Sequence, residues 1–244
     1  MERFAEKEER IRYLEQELIQ AGIHLEEGQI HQLETYYQML VEKNKVMNLT
    51  AITAFEDVVQ KHFIDSMMLL RYADLKGKKV IDVGTGAGFP GLPLKLLVPS
   101  LRLTLLDSLG KRIAWLESVC TALGLEGVTC LHARAEEQAL VPGFRDSFDL
   151  AVSRAVAPMA LLSELCLPYV RVGGRFLAMK SVECGPEVSA AAHGIQRLGG
   201  RLLPGVDYTI PGTTVIHRVV PVEKEAPTPK GLPRRWAKIQ KSPL

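Results

Sequence analysis

The stretch Lys79-Val-Ile-Asp82-Val-Gly84-Thr-Gly86-Ala-Gly88-Phe89-Pro90-Gly91 decides the fold. A short β-branched run ends in four glycines within eight residues, and an apolar helical stretch follows. Glycine is required where a chain turns sharply from strand to helix and lets a ligand approach its backbone. Pro90 suits the first helical turn, where its missing N–H would be unpaired anyway. Gly86-x-Gly88-x-x-Gly91 also has the spacing of a dinucleotide fingerprint, so the glycines alone leave the nucleotide open. No Gly-Lys-Ser/Thr follows them, which excludes a Walker-type phosphate loop.

Outward from the loop, strands and helices alternate. Leu101–Leu106, Val128–His132, Phe148–Val152 and Gly174–Met179 read as further strands, with helices at Arg112–Leu123 and Pro158–Val170. That alternation predicts a parallel sheet covered on both faces. Leu202–Ile210 and Thr213–Val220, turning at Pro211-Gly212, read as an antiparallel hairpin closing one edge. Upstream, residues 1 to about 75 read as helical. Ile11, Leu14 and Leu18 mark a solvent-facing amphipathic helix, and a second helix is expected over Glu27–Lys45. After a loop at Asn48–Thr53 a third helix is expected from Phe55 to Leu70. The expected organisation is a helical portion over 1–75, an α/β domain over 76–222, and a basic tail over 223–244.

Three features favour S-adenosylmethionine over a nicotinamide dinucleotide. Asp82, two residues before Gly84, would repel a pyrophosphate but can accept from a methionine ammonium or position the loop. The loop comes late, after some 75 helical residues, whereas dehydrogenases commonly open with it. Asp107 ends the second strand, 19 residues after Gly88, and suits ribose hydroxyls, although that feature serves either cofactor. Two more strand ends face the same crevice: Ala135-Glu136 beyond the third strand, placed to read adenine, and Ser153-Arg154 beyond the fourth. Lys180 ends the fifth.

Composition narrows the class. The 244 residues are 47% hydrophobic and 24% charged, enough to bury a sizeable core. The longest apolar run, Leu150–Val170, is broken by Arg154, Glu164 and two prolines, so no membrane span is expected. Met1–Arg10 (MERFAEKEER) has no apolar stretch for a secretory signal, which makes a cytoplasmic protein the expectation. Cys120, Cys130, Cys166 and Cys184 lack CxxC spacing, so neither metal nor disulfide is expected. Net charge is only +2, yet residues 226–244 carry +5 through Lys230, Arg234, Arg235, Lys238 and Lys241, leaving the body at −3. A basic tail on an acidic body points to a polyanionic partner.

Taken together, Asn48–Ile52 (NLTAI), His62-x-x-Asp65-Ser66, DVGTGAGFPGLPLK, LLDSLGKR, RAEE, FDLAVSRAVAP and LSELCLP resemble the bacterial ribosomal RNA small-subunit methyltransferase G family. The likeness runs in order over roughly residues 28–222. It implies a class I methyltransferase fold: a Rossmann-like, mostly parallel seven-stranded sheet with an antiparallel edge hairpin. It also implies methyl transfer from S-adenosylmethionine to N7 of a guanine in 16S rRNA, on bare RNA or a small-subunit assembly particle. The cofactor contacts it implies are Gly84, Phe89, Ala135, Glu136 and Arg154; Asp82, Gly86 and Asp107 join them from the reading above. RNA contacts are expected from Lys111, Arg112, Lys180, Lys230, Arg234 and Arg235, and Trp236 is placed either to stack on a base or to pack on the body. N7 attack removes no proton, so no catalytic base is assigned. For Asn48, His62 and Asp65 the resemblance implies a role in shaping the guanine pocket from the helical side, while the His-x-x-Asp spacing alone reads as a local hydrogen-bonded pair pinning a helix to the domain, the reading expected here. A monomer is expected. A small-molecule methyltransferase of the same fold and a noncatalytic RNA-binding assembly protein are the competing readings.

Overall fold

A computed structural model describes residues 6–154 and 156–244. The first half of the MERFAEKEER stretch, residues 1–5, lies outside the described residues. Helices α1 (Lys7–Gln20) and α2 (Glu27–Met47) come first. The third helical segment starts as α3 (Phe55–Val58), widens to a π-helix at Val59–Ile64, returns as α4 (Asp65–Met67) and tightens to 3₁₀ at Met68–Arg71. The alternating part follows: β1 (Lys79–Val83), α5 (Gly91–Leu97), β2 (Arg102–Asp107), α6 (Gly110–Ala122), β3 (Val128–His132), α7 (Ala135–Gln138) and β4 (Phe148–Arg154). The chain ends with α8 (Met159–Cys166), β5 (Val170–Ser181), α9 (Gly185–Arg197), β6 (Gly200–Leu202), β7 (Val206–Thr209), β8 (Ile216–Lys224) and α10 (Trp236–Lys241).

The strands form one eight-stranded sheet in the order β3-β2-β1-β4-β5-β8-β6, with β7 also on β8. Pairing is parallel from β3 to β5 and antiparallel at β8. The side-chain period of two explains the double cover. Val80 faces a core shared with Leu14, Leu33, Phe63 and Leu92, while Ile81 and Val83 face one shared with Met159, Leu162, Ala191 and Ile195. Leu14 and Leu18 are fully buried, so α1 is a packed layer of the fold rather than a loosely attached amphipathic helix.

Two elements differ from the expectation. The strand expected over Leu202–Ile210 is broken at Leu203-Pro204-Gly205, since proline cannot donate to the ladder, and both halves pair with β8. Helix α9 went unread because Gly185, Gly194 and three alanines dilute its apolar stripe, Val188, Ala191, Ile195 and Leu198. The carboxy-terminal segment lies on the body. Arg145 donates to the carbonyls of Leu232 (2.7 Å) and Thr228 (2.6 Å), Lys224 is buried against Asp146 (2.9 Å), and Ile239 is fully buried.

Candidate active site

The strand order reverses between β1 and β4, and a cavity of about 860 Å³ opens there beyond the strands' carboxyl ends. The ends of β2 and β3 bring Asp107 and Glu136 to one side of β1. The ends of β4 and β5 bring Arg154 and Lys180 to the other.

At the first end the glycine loop is held from below. Gly84 (φ +71°) and Thr85 donate their N–H groups to the Leu106 carbonyl at 2.8 and 3.0 Å. Gly88 (φ +95°) has no room for a side chain, because a Cβ there would stand 2.6 Å from the Tyr36 hydroxyl and 2.7 Å from Leu92. The Tyr36 hydroxyl donates to the Ala87 carbonyl, and burial pushes its pKa well up, so it stays a donor. Helix α2 thus braces the loop, a contact that no local pattern announced.

Of the two roles expected of Asp82, positioning the loop fits its contacts: it is fully buried, and its Oδ2 accepts from Thr85 Oγ1 (2.7 Å) and the Gly91 N–H (2.9 Å), while its buried Oδ1 has no hydrogen-bond partner among the described residues. Burial raises its pKa to about 6 despite those two bonds. Asp107 lines the cavity and accepts from the Gly86 N–H (3.0 Å) and the Leu109 N–H (2.9 Å). Gly84, Gly86, Phe89, Ala135 and Glu136 also line it, with Glu136 receiving Arg134 at 2.6 Å.

The second end is built around Arg154. Its guanidinium donates to Asp65 Oδ2 (3.0 Å), to the Lys61 carbonyl (3.0 Å) and to His62 Nδ1 (3.1 Å), and lies 5.0 Å from the Phe89 ring. Asp65 Oδ1 accepts from the Tyr208 hydroxyl (2.7 Å) and His217 Nδ1 (2.9 Å). Burial alone would raise the Asp65 pKa, but the His217 bond, the Arg154 charge and the Tyr208 bond outweigh it and hold the carboxyl below its usual value. Burial, aided by the Arg154 charge, lowers His62 to about 4, so its imidazole is neutral. A neutral ring accepting at Nδ1 carries its proton on Nε2, which donates to Thr50 Oγ1 at 2.8 Å. The ring stacks on Phe89 at 4.5 Å.

His62 and Asp65 are therefore not the expected local pair. Both turn to Arg154, some 90 residues away, from the π-helical turn and its exit, a distortion common at functional sites. Sequence reading missed Lys61, Tyr208 and His217 here; isolated residues on a helix and two antiparallel strands carry no local signal.

The expected RNA contacts separate. Lys111, Lys230 and Arg235 are exposed, and Arg112 is half-buried with a long contact to Asp107 (3.4 Å). Lys180 lines the cavity, bonded to the Ala157 carbonyl (2.8 Å) and Glu187 (2.7 Å). Arg234 is corrected: its guanidinium clasps the fully buried Glu164 carboxylate (2.8 and 2.5 Å) and anchors the chain end rather than offering a free charge. Trp236 starts α10, lines the cavity and lies 5.3 Å under Arg134. Among the described residues no cluster of three metal-ligating side chains occurs, and no helix is long and apolar enough to cross a membrane.

Comparisons with known proteins give the family and the fold. Residues 29–203 match the family described as rRNA small subunit methyltransferase G. The Ribosomal RNA small subunit methyltransferase G of Lachnoclostridium phytofermentans is 46% identical over 224 residues, 91% of this chain and 93% of that protein. Among solved structures, YcgJ of Bacillus subtilis superposes with a TM-score of 0.52 at 13% identity, over 68% of this chain and all of that one. M. jannaschii TYW2, solved in complex with AdoMet, gives 0.50 at 12% identity, over 67% of this chain and 74% of that one. The two structures share the fold; the family match extends through the glycine loop, the Arg154 centre and Lys180, and the chain belongs to the rRNA small-subunit methyltransferase G family.

Proposed function

We propose that this protein transfers the methyl group of S-adenosylmethionine to N7 of a guanine in 16S rRNA, the guanine of the 530 loop by family likeness. One observation carries the reading: a single cavity, opening where the strand order reverses, has the bare glycine loop with Asp107 and Glu136 at one end and the His62–Phe89–Arg154 cluster with Lys180 at the other.

The first end fits the cofactor. Asp107 and Glu136 line it, each beside an arginine, Arg112 at 3.4 Å and Arg134 at 2.6 Å. At Gly86 only the Gly84 carbonyl, 4.0 Å away, lies near where a Cβ would stand, so the loop presents open backbone there. Gly84, Gly86 and Phe89 are the residues to hold the methionine portion, Asp107 the ribose hydroxyls, and Ala135 with Glu136 the adenine. Bound there, the cofactor supplies a methyl group on an electrophilic sulfonium.

The second end has a simple task. Guanine N7 carries a free lone pair at neutral pH, so no side chain need remove a proton. Holding the base in line is the requirement, and such positioning contributes on the order of 7–11 kcal/mol. Neutral His62, locked between Thr50 and Arg154 and stacked on Phe89, is a rigid wall, not a base. The A-form major groove hides N7 from side chains, so the target must be an unpaired, splayed-out base. In this reading Lys111, Arg112, Lys230 and Arg235 hold its flanking phosphates. The protein acts as a cytoplasmic monomer on 16S rRNA or a small-subunit assembly particle.

The test is tritiated-methyl transfer to total rRNA from cells lacking the enzyme, followed by digestion to nucleosides. Label in 7-methylguanosine of the small-subunit RNA is expected. Label on another atom would keep the fold and cofactor but overturn the assignment of N7.

A further inference from the structure

Resting on the guanine reading, we propose that Lys180 and Glu187 form the pair that reads the target base. The Lys180 ammonium donates to guanine O6, and the Glu187 carboxylate accepts from N1–H and the 2-amino group.

Lys180 ends β5 and Glu187 lies in the first turn of α9; both line the cavity on the Arg154 side of β1. The ammonium has three N–H bonds. One goes to the Ala157 carbonyl (2.8 Å) and one to Glu187 Oε1 (2.7 Å), which leaves a third. Glu187 Oε2 receives only a long bond from the Met159 N–H (3.3 Å), and a carboxylate offers about four acceptor positions. The Lys180 side chain is 12% exposed and Glu187 31%. The Lys180 ammonium is held inside the cavity with its head aimed by two partners.

The chemistry is specific to one base. A donor 2.7 Å from an acceptor matches guanine, where O6 accepts beside N1–H and the 2-amino group. Adenine reverses the pattern: its 6-amino group would meet the ammonium, and its N1 lone pair would meet the carboxylate. Along the guanine edge the order is N7, O6, N1, 2-amino, so gripping the last three leaves N7 free. Methylation makes the ring cationic and N1–H more acidic. The Glu187 bond therefore tightens as the methyl is transferred, and an interaction stronger in the transition state raises kcat rather than only lowering KM.

The test uses 16S rRNA carrying guanine, inosine or 2-aminopurine at the target position. All three keep N7; inosine lacks the 2-amino group, and 2-aminopurine lacks O6 and N1–H. The wild type is expected to prefer guanine over both. Glu187→Gln should lower kcat on guanine about 10- to 100-fold, the loss of one charge-assisted bond, and shrink the preference over 2-aminopurine by a similar factor. Lys180→Arg should keep the preference and Lys180→Gln should lose it. S-adenosylmethionine affinity and the melting temperature, measured in parallel, should stay at wild-type values for Glu187→Gln. Equal slowing on guanine and 2-aminopurine, or no slowing on either, would overturn the pair, reducing it to a clamp between β5 and α9. A wild type that labels none of the three RNAs would instead sink the guanine reading, and this inference with it.

Discussion

The two ends of the cavity are made in opposite ways. The loop end is mostly local: Asp82 holds Thr85 three residues on and Gly91 nine residues on, the next two strand ends supply most of the rest, and Tyr36 reaches in from α2. The Arg154 end is assembled from afar, with Asp65 reached by Arg154 across 89 residues and by His217 across 152. The first can begin to form from its own dihedral preferences, whereas the second exists only once α4, β4, β7 and β8 have packed. Function placed on the second end is thereby tied to global stability.

The largest expected effect tests that tie. Asp65→Ala leaves the Arg154 guanidinium, only 14% exposed, without its carboxylate, and Tyr208 and His217 without an acceptor. Breaking such a buried pair costs about 3–5 kcal/mol, which urea unfolding would read as a large fall in midpoint. An unchanged midpoint would mean the two ends do not differ in the way described.

Acidity separates the ends next. His62 ionises near pH 4 in the folded chain against about 6.5 unfolded. Below 6.5 the unfolded chain binds the proton first, so this stability is full above 6.5 and is lost as pH falls toward 4. Asp82 runs the other way: its folded pKa of about 6 lies above the unfolded value of 3.8, so acidification from 6 toward 4 favours the folded state. Each contribution is about 3 kcal/mol, and over that window they offset. Asp82→Asn should therefore expose a loss of stability on acidification, and His62→Gln a gain. Parallel pH profiles for the two variants would contradict the opposed pair.

The same contrast explains what could be read from the chain. Loop, strand ends and the parallel sheet were legible because glycine spacing, β-branched runs and strand-end position are local signals with a direct steric cause. Arg154 was found through its place at the end of β4, but its partners were not, since nothing in the sequence near Tyr208 or His217 says that both face Asp65. For Asp82 the sequence left two roles open, ammonium acceptor or loop support, because which side of a strand end faces the cavity depends on the sheet's twist and on the loop packed over it. Arg234 looked like its neighbour Arg235 because sequence does not show that Glu164 waits, buried, beneath one of them.

A smaller effect sharpens the loop side. Gly88→Ala forces a Cβ against Tyr36 and Leu92 at φ +95°. Backbone strain of this kind costs roughly 1–3 kcal/mol, and the loop must shift to relieve it. Cofactor affinity measured by calorimetry should fall more than the unfolding midpoint does, the reverse of the balance expected for Asp65→Ala.

The smallest effect comes from the adjacent arginines at the chain end, which repeat the contrast on a scale of one residue. Arg234 is 14% exposed and bound to a fully buried carboxylate, so its charge is spent inside the protein. Arg235 is exposed beside it, ahead of the helix that carries Trp236 to the cavity rim. Arg235→Ala should leave the melting temperature unchanged and weaken RNA binding mildly, flattening the plot of log affinity against log salt by about 0.7 for one lost contact to single-stranded phosphate. Arg234→Ala should instead lower the melting temperature, because Glu164 is left buried without its partner. Its effect on RNA binding should follow only from displacement of the chain end. A change of salt slope in Arg234→Ala at full stability would return that residue to the RNA surface, and would show that exposure at this chain end does not decide which charges meet the RNA.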